Sequence, residues 1–254
     1  MNVAFTAADL TVVIPAHDAA TTIAEAIESI IVDHDPAPTV IVVDDRSTDA
    51  TAEIAARCGA TVVTAEGTGP GAARNTGVRH VETGLLAFCD ADDWWHDVRI
   101  TEHLGVLADT TIDLVLGRTQ YHVDAVTESA ASDERGGAGN LLAGQHFDTD
   151  DQTVVIPHFG GATLRTEAFH RVGWIDETLS NYEDYEWFYR ARDLGLSMLT
   201  SDQIAHRRRI TTHSTSRLNP PTPANLMAVM QRSLQRRRAL GQSGDLSPIS
   251  QLGR

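Results

Sequence analysis

Over the first hundred residues, short apolar runs alternate with stretches whose apolar positions recur every three or four residues. The runs predict strands at 10–14, 39–43, 61–64 and 85–89. The stretches between them predict helices at about 23–31, 49–57 and 71–82. Strand and helix in strict alternation indicate an α/β fold, in which right-handed crossovers join parallel strands.

The pattern is less regular after residue 98. Helices are predicted at about 99–108, 166–172, 181–194 and 224–240, and strands at 112–116 and 153–156. The segment 124–151 is rich in small and polar residues, so we expect either a lid or disorder. In the last helix we expect an apolar face turned inward and an arginine face outward, with Leu226, Met227, Met230 and Leu234 on the apolar face. That face would dock on the domain or on a second copy, which makes a homodimer through this helix possible.

Three carboxylates, Asp90, Asp92 and Asp93, directly follow the apolar run 85–89. Open α/β sheets bind their ligands at the carboxyl ends of such strands. Carboxylates this close repel one another unless a cation lies between them, and Mg²⁺ commonly takes one or two carboxylates together with substrate phosphates. The alternative is that one Asp caps a helix and its neighbours are solvated.

Other polar clusters are expected at the same edge of the sheet. In a parallel sheet, His17-Asp18, Asp44-Asp45 and the glycine-rich loop 67–71 emerge beside Asp90. This convergence favours a binding site over independent turns. Such a site would hold a metal beside phosphates and would offer further carboxylates to a base and a ribose. The ligand with these needs is a nucleotide diphosphate that carries a group to transfer.

Each candidate site residue has both a functional and a purely structural interpretation. Asp45 can accept a hydrogen bond from a base N–H, whereas Asp44 or Ser47 can simply cap the second helix. Arg74 can pair with phosphate or form a surface salt bridge. Glu183 and Asp184 begin a predicted helix, where the helix dipole alone favours acidic residues by about 0.3–1 kcal/mol each.

The same ambiguity applies to glycines and arginines in the second half. Gly160-Gly161 permits a close approach of the backbone either to a ligand or to a neighbouring strand. The basic run 207–209 is either a solvated surface or a partner for phosphates or an acidic acceptor.

Composition narrows the class of protein. The formal net charge of −15 argues against a general nucleic-acid surface, and 42% apolar residues allow a substantial core. Two cysteines, Cys58 and Cys89, show no metal spacing and imply no disulfide framework. No signal peptide is visible, and no stretch approaches the roughly 18–20 apolar residues of a membrane span, so we expect a cytoplasmic protein.

Five segments, taken in order, resemble the motif set of family 2 glycosyltransferases. They are 13–18 (VIPAHD), 43–49 (VDDRSTD), 71–77 (GAARNTG), 90–93 (DADD) and 183–187 (EDYEW). The resemblance covers about residues 10–216. It implies the GT-A fold, which is an α/β fold with a Rossmann-like, mostly parallel central sheet flanked by helices and a smaller acceptor-binding part. It also implies a nucleotide-sugar donor and inversion at the anomeric carbon.

The resemblance implies a division of the chain into parts. Residues 1–218 would form the GT-A domain, with a nucleotide-sugar-binding half at 8–117 and an acceptor-binding, catalytic half at 118–218. A C-terminal helical extension would follow at 219–240, and then a tail at 241–254 that we expect to be disordered.

The resemblance also implies roles for single residues. Asp45 matches the position that usually contacts uracil, and Asp90 and Asp92 match the DxD pair, with Asp92 as the direct metal ligand. Asp184 matches the general base, with Glu183 beside it, and His213 matches a late histidine that binds metal or diphosphate. The whole donor-binding set is then Pro15, Ala16, His17, Asp18, Asp44, Asp45, Arg74, Asp90, Ala91 and Asp92.

Three departures from the family pattern stand out. His17-Asp18 occupies the place of the usual Tyr-Asn, and Arg46 stands where the family usually has Gly. The spacing before His213 is also looser than usual, and a capping or surface histidine is the alternative there.

The expected reaction is metal-assisted hexosyl transfer. Mg²⁺ or Mn²⁺ would assist departure of the diphosphate, and Asp184 would take the acceptor proton; an Asp at its usual pKa of about 3.9 is ionised at pH 7. The default donor is a UDP-hexose, and the acceptor is a saccharide, a lipid, a peptide or a natural product. Nucleotidyl transfer and a non-catalytic module that binds sugar nucleotides are the competing hypotheses. Nucleotidyl transfer usually requires a basic, glycine-rich loop after the first strand, which this sequence lacks. An intact Asp184 argues against the non-catalytic module.

Overall fold

A computed structural model describes residues 4–123, 153–210 and 222–242. Within these ranges one sheet has the strand order β3-β2-β1-β4-β8-β6-β9-β5, and β7 pairs with β6. The strands are β1 (Leu10–Ala16), β2 (Thr39–Asp44), β3 (Thr61–Thr64), β4 (Leu85–Phe88), β5 (Trp94–Trp95), β6 (Leu114–Val123), β7 (Thr153–Val154), β8 (Ala162–Arg165) and β9 (Met198–Ile210). The segment 124–151, predicted to be a lid or disordered, lies outside the described residues.

Helices cover both faces of this sheet. They are α1 (Ile23–Ile31), α2 (Thr51–Arg57), α3 (Pro70–Val78), α4 (Arg99–Leu107), α5 (Thr166–Val172), α6 (Glu183–Asp193) and α7 (Pro223–Ala239). Short 3₁₀ turns lie at Ala7–Asp9 and Phe159–Gly161. Along β1, Val13 packs into one buried cluster, whereas Val12 and Ile14 pack into the other. Successive residues of a strand point to opposite faces, so the central strand contributes to two cores.

The first half of the sheet confirms the predicted alternation. β1 pairs in parallel with β2 and with β4, and β2 pairs in parallel with β3. β1, β2 and β4 are buried on both faces by the crossover helices, which explains their apolar sequences, whereas β3 at the end of the sheet is partly exposed. The carboxyl ends of β1, β2 and β4 therefore lie at one edge.

The second half of the sheet departs from the predicted pattern. β8 is antiparallel to β4 and β6, whereas β9 runs parallel to β6. Sequence periodicity predicted none of β5, β8 and β9. β9 includes the basic run 207–209, and its register places Arg208 opposite Tyr121 of β6.

The C-terminal helix forms where predicted, but the apolar face expected to turn inward does not pack on the domain. Val229 and Ser233 are buried on α7, whereas the apolar side chains expected to be inward are largely exposed, namely Met227, Met230 and Leu234. The helix docks on α6 through its polar side.

The reason is the charge on α6. Asp193 and Glu186 are both buried there. Arg236 of α7 donates to Asp193 Oδ2 at 3.1 Å and to Glu186 Oε1 at 3.3 Å, and the Ser233 hydroxyl donates to Asp193 Oδ2 at 2.8 Å. Buried carboxylates require such partners, and this requirement turns the arginine face of α7 inward. No helix in the described ranges is long and apolar enough to cross a bilayer.

Candidate active site

The loops that follow β1 and β2 are tied together at the carboxyl edge of the sheet. Asp18 Oδ1 accepts the Thr48 N–H at 2.7 Å, and the Asp18 N–H donates to the Ser47 hydroxyl at 3.1 Å. The ring nitrogen Nδ1 of His17 lies 2.8 Å from the backbone oxygen of Asp45. The predicted convergence of the first two polar clusters is thus present, and Asp18 acts as a clamp between the two loops. Pro15 and Ala16 form the end of β1 beneath them.

Asp45 links this pair of loops to the glycine-rich loop. Its Oδ2 accepts the Gly69 N–H at 2.7 Å, and Arg46 donates to its Oδ1 at 3.1 Å and to the Thr68 hydroxyl at 2.7 Å. Arg46 has φ of 60°, a left-handed conformation that glycine adopts most readily, which accounts for the glycine usual at this position. Beside it, Asp44 Oδ1 is buried and accepts no hydrogen bond from the described residues.

One buried guanidinium joins the two acidic motifs. Arg74, on α3, is 3% exposed and donates to Asp90 Oδ1 at 2.7 Å and to Glu183 Oε1 at 3.1 Å. Asp184 Oδ1 lies 3.7 Å from the same guanidinium. Arg74 is therefore neither a surface salt bridge nor an isolated cation: it fixes the end of β4 against the start of α6.

One carboxylate oxygen of Asp184 has a hydrogen-bond partner, and the other has none among the described residues. Its Oδ2 accepts the Phe159 N–H at 3.2 Å and lies 3.7 Å from His158 Nε2. Its Oδ1 is buried and has no hydrogen-bond partner among the described residues. Burial raises the pKa of Asp184 above its ordinary value despite the nearby Arg74. The expectation of an unperturbed carboxyl at this position is therefore wrong, because the helix start is enclosed by β4 and by the Phe159–Gly161 turn.

The three aspartates after β4 have different surroundings. Asp90 is half-buried beside Arg74, whose charge outweighs the effect of burial and holds the pKa of Asp90 below its usual value. Burial, together with the adjacent Asp93 and Asp90, raises the pKa of Asp92 to about 7. Asp93 is a structural residue: its carboxylate accepts the Arg209 N–H at 2.8 Å and lies 3.0 Å from His206 Nε2. Ala91 is buried within the same turn.

The surroundings of Asp92 fit a divalent cation. The negative charges of Asp93 and Asp90 help to raise the pKa of Asp92, and a hard cation beside Asp92 would offset this repulsion. Among the described residues, no three His, Cys, Asp or Glu side chains form a complete protein-only metal site. His213, the third predicted ligand, lies outside the described residues.

Sequence reasoning did not identify two residues of the site. His158 lies 3.8 Å from Asp90 and 3.7 Å from Asp184, and burial lowers its pKa well below the usual value, so it is neutral at pH 7. Arg208 of β9 faces the three aspartates, whose charges help to raise its pKa. The basic run was the only sequence signal for Arg208. His158 carried none, and the glycines beside it approach neighbouring side chains and strand β6 rather than solvent.

Comparisons with known proteins agree with this arrangement. The family model "Glycosyl transferase family 2" matches residues 11–173, well over half of the chain. A curated relative, Glycosyltransferase AglE of Haloferax volcanii, is 25% identical over 65% of this chain and 54% of its own length. The chain spans about half or less of the length of the curated relatives that it matches.

Solved structures share the fold. Staphylococcus aureus TarS 1–349, crystallised with UDP-GlcNAc, superposes with a TM-score of 0.65 at 19% identity, covering 89% of this chain and 66% of that one. The mannosyltransferase PcManGT of Pyrobaculum calidifontis, crystallised with GDP-Man and Mn²⁺, gives 0.62 at 19% identity, covering 95% and 67%. The fold is the GT-A fold of these glycosyltransferases. From its ordered motifs, its fold and the family model, this chain belongs to glycosyl transferase family 2.

Proposed function

We propose that this chain is an inverting glycosyltransferase that transfers a sugar from a nucleotide diphosphate sugar, by preference a UDP-hexose, to an acceptor hydroxyl. One observation carries the proposal. Asp184 presents a buried carboxylate oxygen with no hydrogen-bond partner among the described residues, and Arg74 connects this group to Asp90 at the carboxyl edge of the sheet. The bound UDP-GlcNAc of TarS and the GDP-Man of PcManGT support a sugar nucleotide as the donor.

The nucleoside would lie at the end formed by the first two loops. His17 offers an exposed ring there, and Asp44 Oδ1 offers a buried acceptor that lacks a partner. Asp45 is already bonded through both oxygens, so contact with a base would have to share or replace one of these bonds. A base N–H is a suitable donor for either carboxylate.

The acceptor hydroxyl would be deprotonated by Asp184. As the hydroxyl oxygen bonds to the anomeric carbon, its proton moves to Asp184 Oδ1. The bond from that carbon to the diphosphate oxygen breaks, and its electron pair leaves with the nucleotide diphosphate. Attack from the face opposite the leaving group inverts the anomeric configuration. A general base in this position typically contributes about 10²–10⁴-fold to the rate.

The other charged residues would hold the diphosphate and the base in register. Asp92, with Asp90 beside it, would hold Mg²⁺ or Mn²⁺, which supplies charge neutralisation for the departing diphosphate. Arg208 adds a fixed positive charge on the same side of the three aspartates. Arg74 bonds to both Asp90 and Glu183, so it sets the distance between the donor end and the base.

The test compares Asp184→Asn with the native protein and with Glu53→Gln, which alters an exposed carboxylate on α2. Release of UDP from UDP-sugars in the presence of Mn²⁺ and nucleotide binding by calorimetry are measured for each. We expect Asp184→Asn to lose transfer while it retains UDP affinity, and Glu53→Gln to match the native protein. Transfer that survives in Asp184→Asn would remove Asp184 from the mechanism.

A further inference from the structure

The chain has four tyrosines, and the other three lie around Tyr185, which directly follows Asp184. Tyr182, Tyr185 and Tyr189 follow one another at i, i+3 and i+7, which places them on one stripe at the start of α6. Tyr121 lies on β6, close enough that its hydroxyl affects the pKa of Tyr185. The cluster is built from two distant segments, so it does not follow from helical spacing alone.

The rings contact one another edge to face. The Tyr182 and Tyr185 centroids are 5.4 Å apart with planes at 90°, and those of Tyr185 and Tyr189 are 6.2 Å apart at 89°. The three rings are half-buried. No described residue hydrogen-bonds to the hydroxyls of Tyr182 and Tyr185. The stripe therefore offers apolar ring surface together with hydroxyl groups available to a ligand.

The backbone of Tyr182 has an unfavourable conformation for its residue type. It is the N-cap of α6, with φ of 63° and ψ of 18°, and its side chain makes no capping bond. Asn or Asp suits both the left-handed conformation and the N-cap far better than a bulky aromatic residue. Strained positions of this kind concentrate at functional sites, where the side chain has a use that compensates for the strain. The ring of Tyr182 is the part that such a use would need.

The cluster connects the proposed base to the donor end of the site. Tyr185 directly follows Asp184, whose charge contributes to raising its pKa to about 12, with burial as the main cause. Tyr121 is buried and bonds to Arg208, which faces Asp90 and Asp92. Through Tyr185 and Tyr121 this surface therefore joins the proposed base to the donor end of the site.

The surrounding charges disfavour an anionic ligand. Glu183 and Asp184 lie beside the stripe, and the neighbouring cations already have partners. Arg74 donates to Asp90 and Glu183, Arg208 is bonded to Tyr121, and Arg192 donates to Asp193. An acceptor phosphate or carboxylate would therefore meet the acidic groups and compete for cations that are already paired. A sugar ring suits the surface better, because its C–H face packs on an aromatic ring while its hydroxyls bond to the tyrosine hydroxyls.

We propose that Tyr121, Tyr182 and Tyr185 form the acceptor subsite and that this subsite takes a neutral saccharide. The assignment rests on the proposed function and names its acceptor class. Tyr189 continues the stripe beyond this subsite, so that from Tyr182 to Tyr189 the stripe extends about 10 Å along the helix axis, at about 1.5 Å per residue. A disaccharide can cover more of this length than a monosaccharide, so it binds more tightly.

The experiment uses the full chain with UDP or GDP and Mn²⁺, whose binding is measured first by calorimetry. Saturation-transfer NMR titrations then test methyl glucoside, mannoside, galactoside and N-acetylglucosaminide, and maltose, cellobiose, lactose and chitobiose. Glucose 6-phosphate and p-nitrophenol represent anionic and purely aromatic ligands. We expect at least one disaccharide to bind more tightly than its monosaccharide and to show saturation of its ring C–H protons.

Two variants at one position separate binding from structure. Tyr182→Asn suits the left-handed N-cap, so it should raise the melting temperature while it weakens disaccharide binding by about two- to tenfold, the value of one aromatic contact. Tyr182→Phe keeps the ring and should retain most of the affinity. Trp174→Ala removes a half-exposed aromatic residue outside the cluster and should leave sugar binding unchanged.

The outcomes are distinct. If neither nucleotide binds, the proposed function fails, and the acceptor assignment fails with it. If nucleotide binds but none of the sugars does, if glucose 6-phosphate or p-nitrophenol binds more tightly than every sugar, or if Tyr182→Asn binds the disaccharide as well as the native protein does, the acceptor assignment alone is wrong.

Discussion

Removal of the Arg74 guanidinium should destabilise the protein in a way that depends strongly on pH. Arg74→Met leaves Asp90 and Glu183 without the cation to which both are bonded, and Asp184 without its nearest positive charge. Loss of one partner from a buried ion pair typically costs about 3–5 kcal/mol. We expect the free energy of unfolding at pH 7.5 to fall by this amount. A domain with an ordinary stability of about 5–15 kcal/mol remains folded after such a loss.

The sign of the pH dependence follows from Asp90. Arg74 holds the pKa of Asp90 below its usual value, so in the native protein this carboxylate stabilises the fold above an unfolded pKa of about 3.9, and the contribution is lost as pH falls through the lower folded pKa. In Arg74→Met the contribution is absent, and Asp90 and Asp184 bind protons more readily because Arg74 no longer lowers their pKa. The deficit of the variant is therefore largest at neutral pH and shrinks as pH approaches about 4.

Urea unfolding followed by tryptophan fluorescence at pH 5, 6 and 7.5 measures this deficit. The control is Arg57→Met, which removes an exposed i,i+4 pair with Glu53 and should change stability by less than about 1 kcal/mol at every pH. A deficit for Arg74→Met below about 1 kcal/mol, or one that does not change with pH, would refute the argument that Arg74 holds the site together.

Three further predictions concern the metal, the base and the core. Asp92→Ala should weaken Mn²⁺-dependent binding of UDP in calorimetry, and unchanged affinity with metal present would argue against Asp92 as the ligand. Because burial raises the pKa of Asp184, the transfer rate measured against pH should begin to fall on the acid side well above the 3.9 of an ordinary Asp. Gly77→Ala should lower the free energy of unfolding by about 1–3 kcal/mol in urea, since the added Cβ would clash with Val13 Cγ1. Gly105→Ala, in open space on α4, should instead raise it by roughly 0.5–1 kcal/mol.

The sequence predicted those parts of the fold in which the local pattern of apolar and polar residues matches their burial. β1 to β4 are short apolar runs between amphipathic helices, and the crossover rule then places His17, Asp45 and Asp90 at one edge. β9 was not predicted because its sequence is polar, and its polar groups are bonded within the structure. His206 lies against Asp93, and the backbone N–H of Arg209 donates to the same carboxylate.

The site was predicted in outline only, for a related reason. Motifs indicate which residues lie at the edge, but the contact between Arg74 and Glu183 joins positions that are 109 residues apart. The same limit applies to α7, whose inward face depends on the buried Asp193 of another helix rather than on its own apolar pattern.

The most direct test of the account is a donor panel. The purified protein is incubated with UDP-, GDP- and TDP-sugars in the presence of Mg²⁺ or Mn²⁺, and the free nucleotide diphosphate released is measured with and without a chelator. We expect release from one donor, a UDP-sugar by preference, which the chelator abolishes and which Asp184→Asn lacks. Failure to bind or turn over any sugar nucleotide would contradict it.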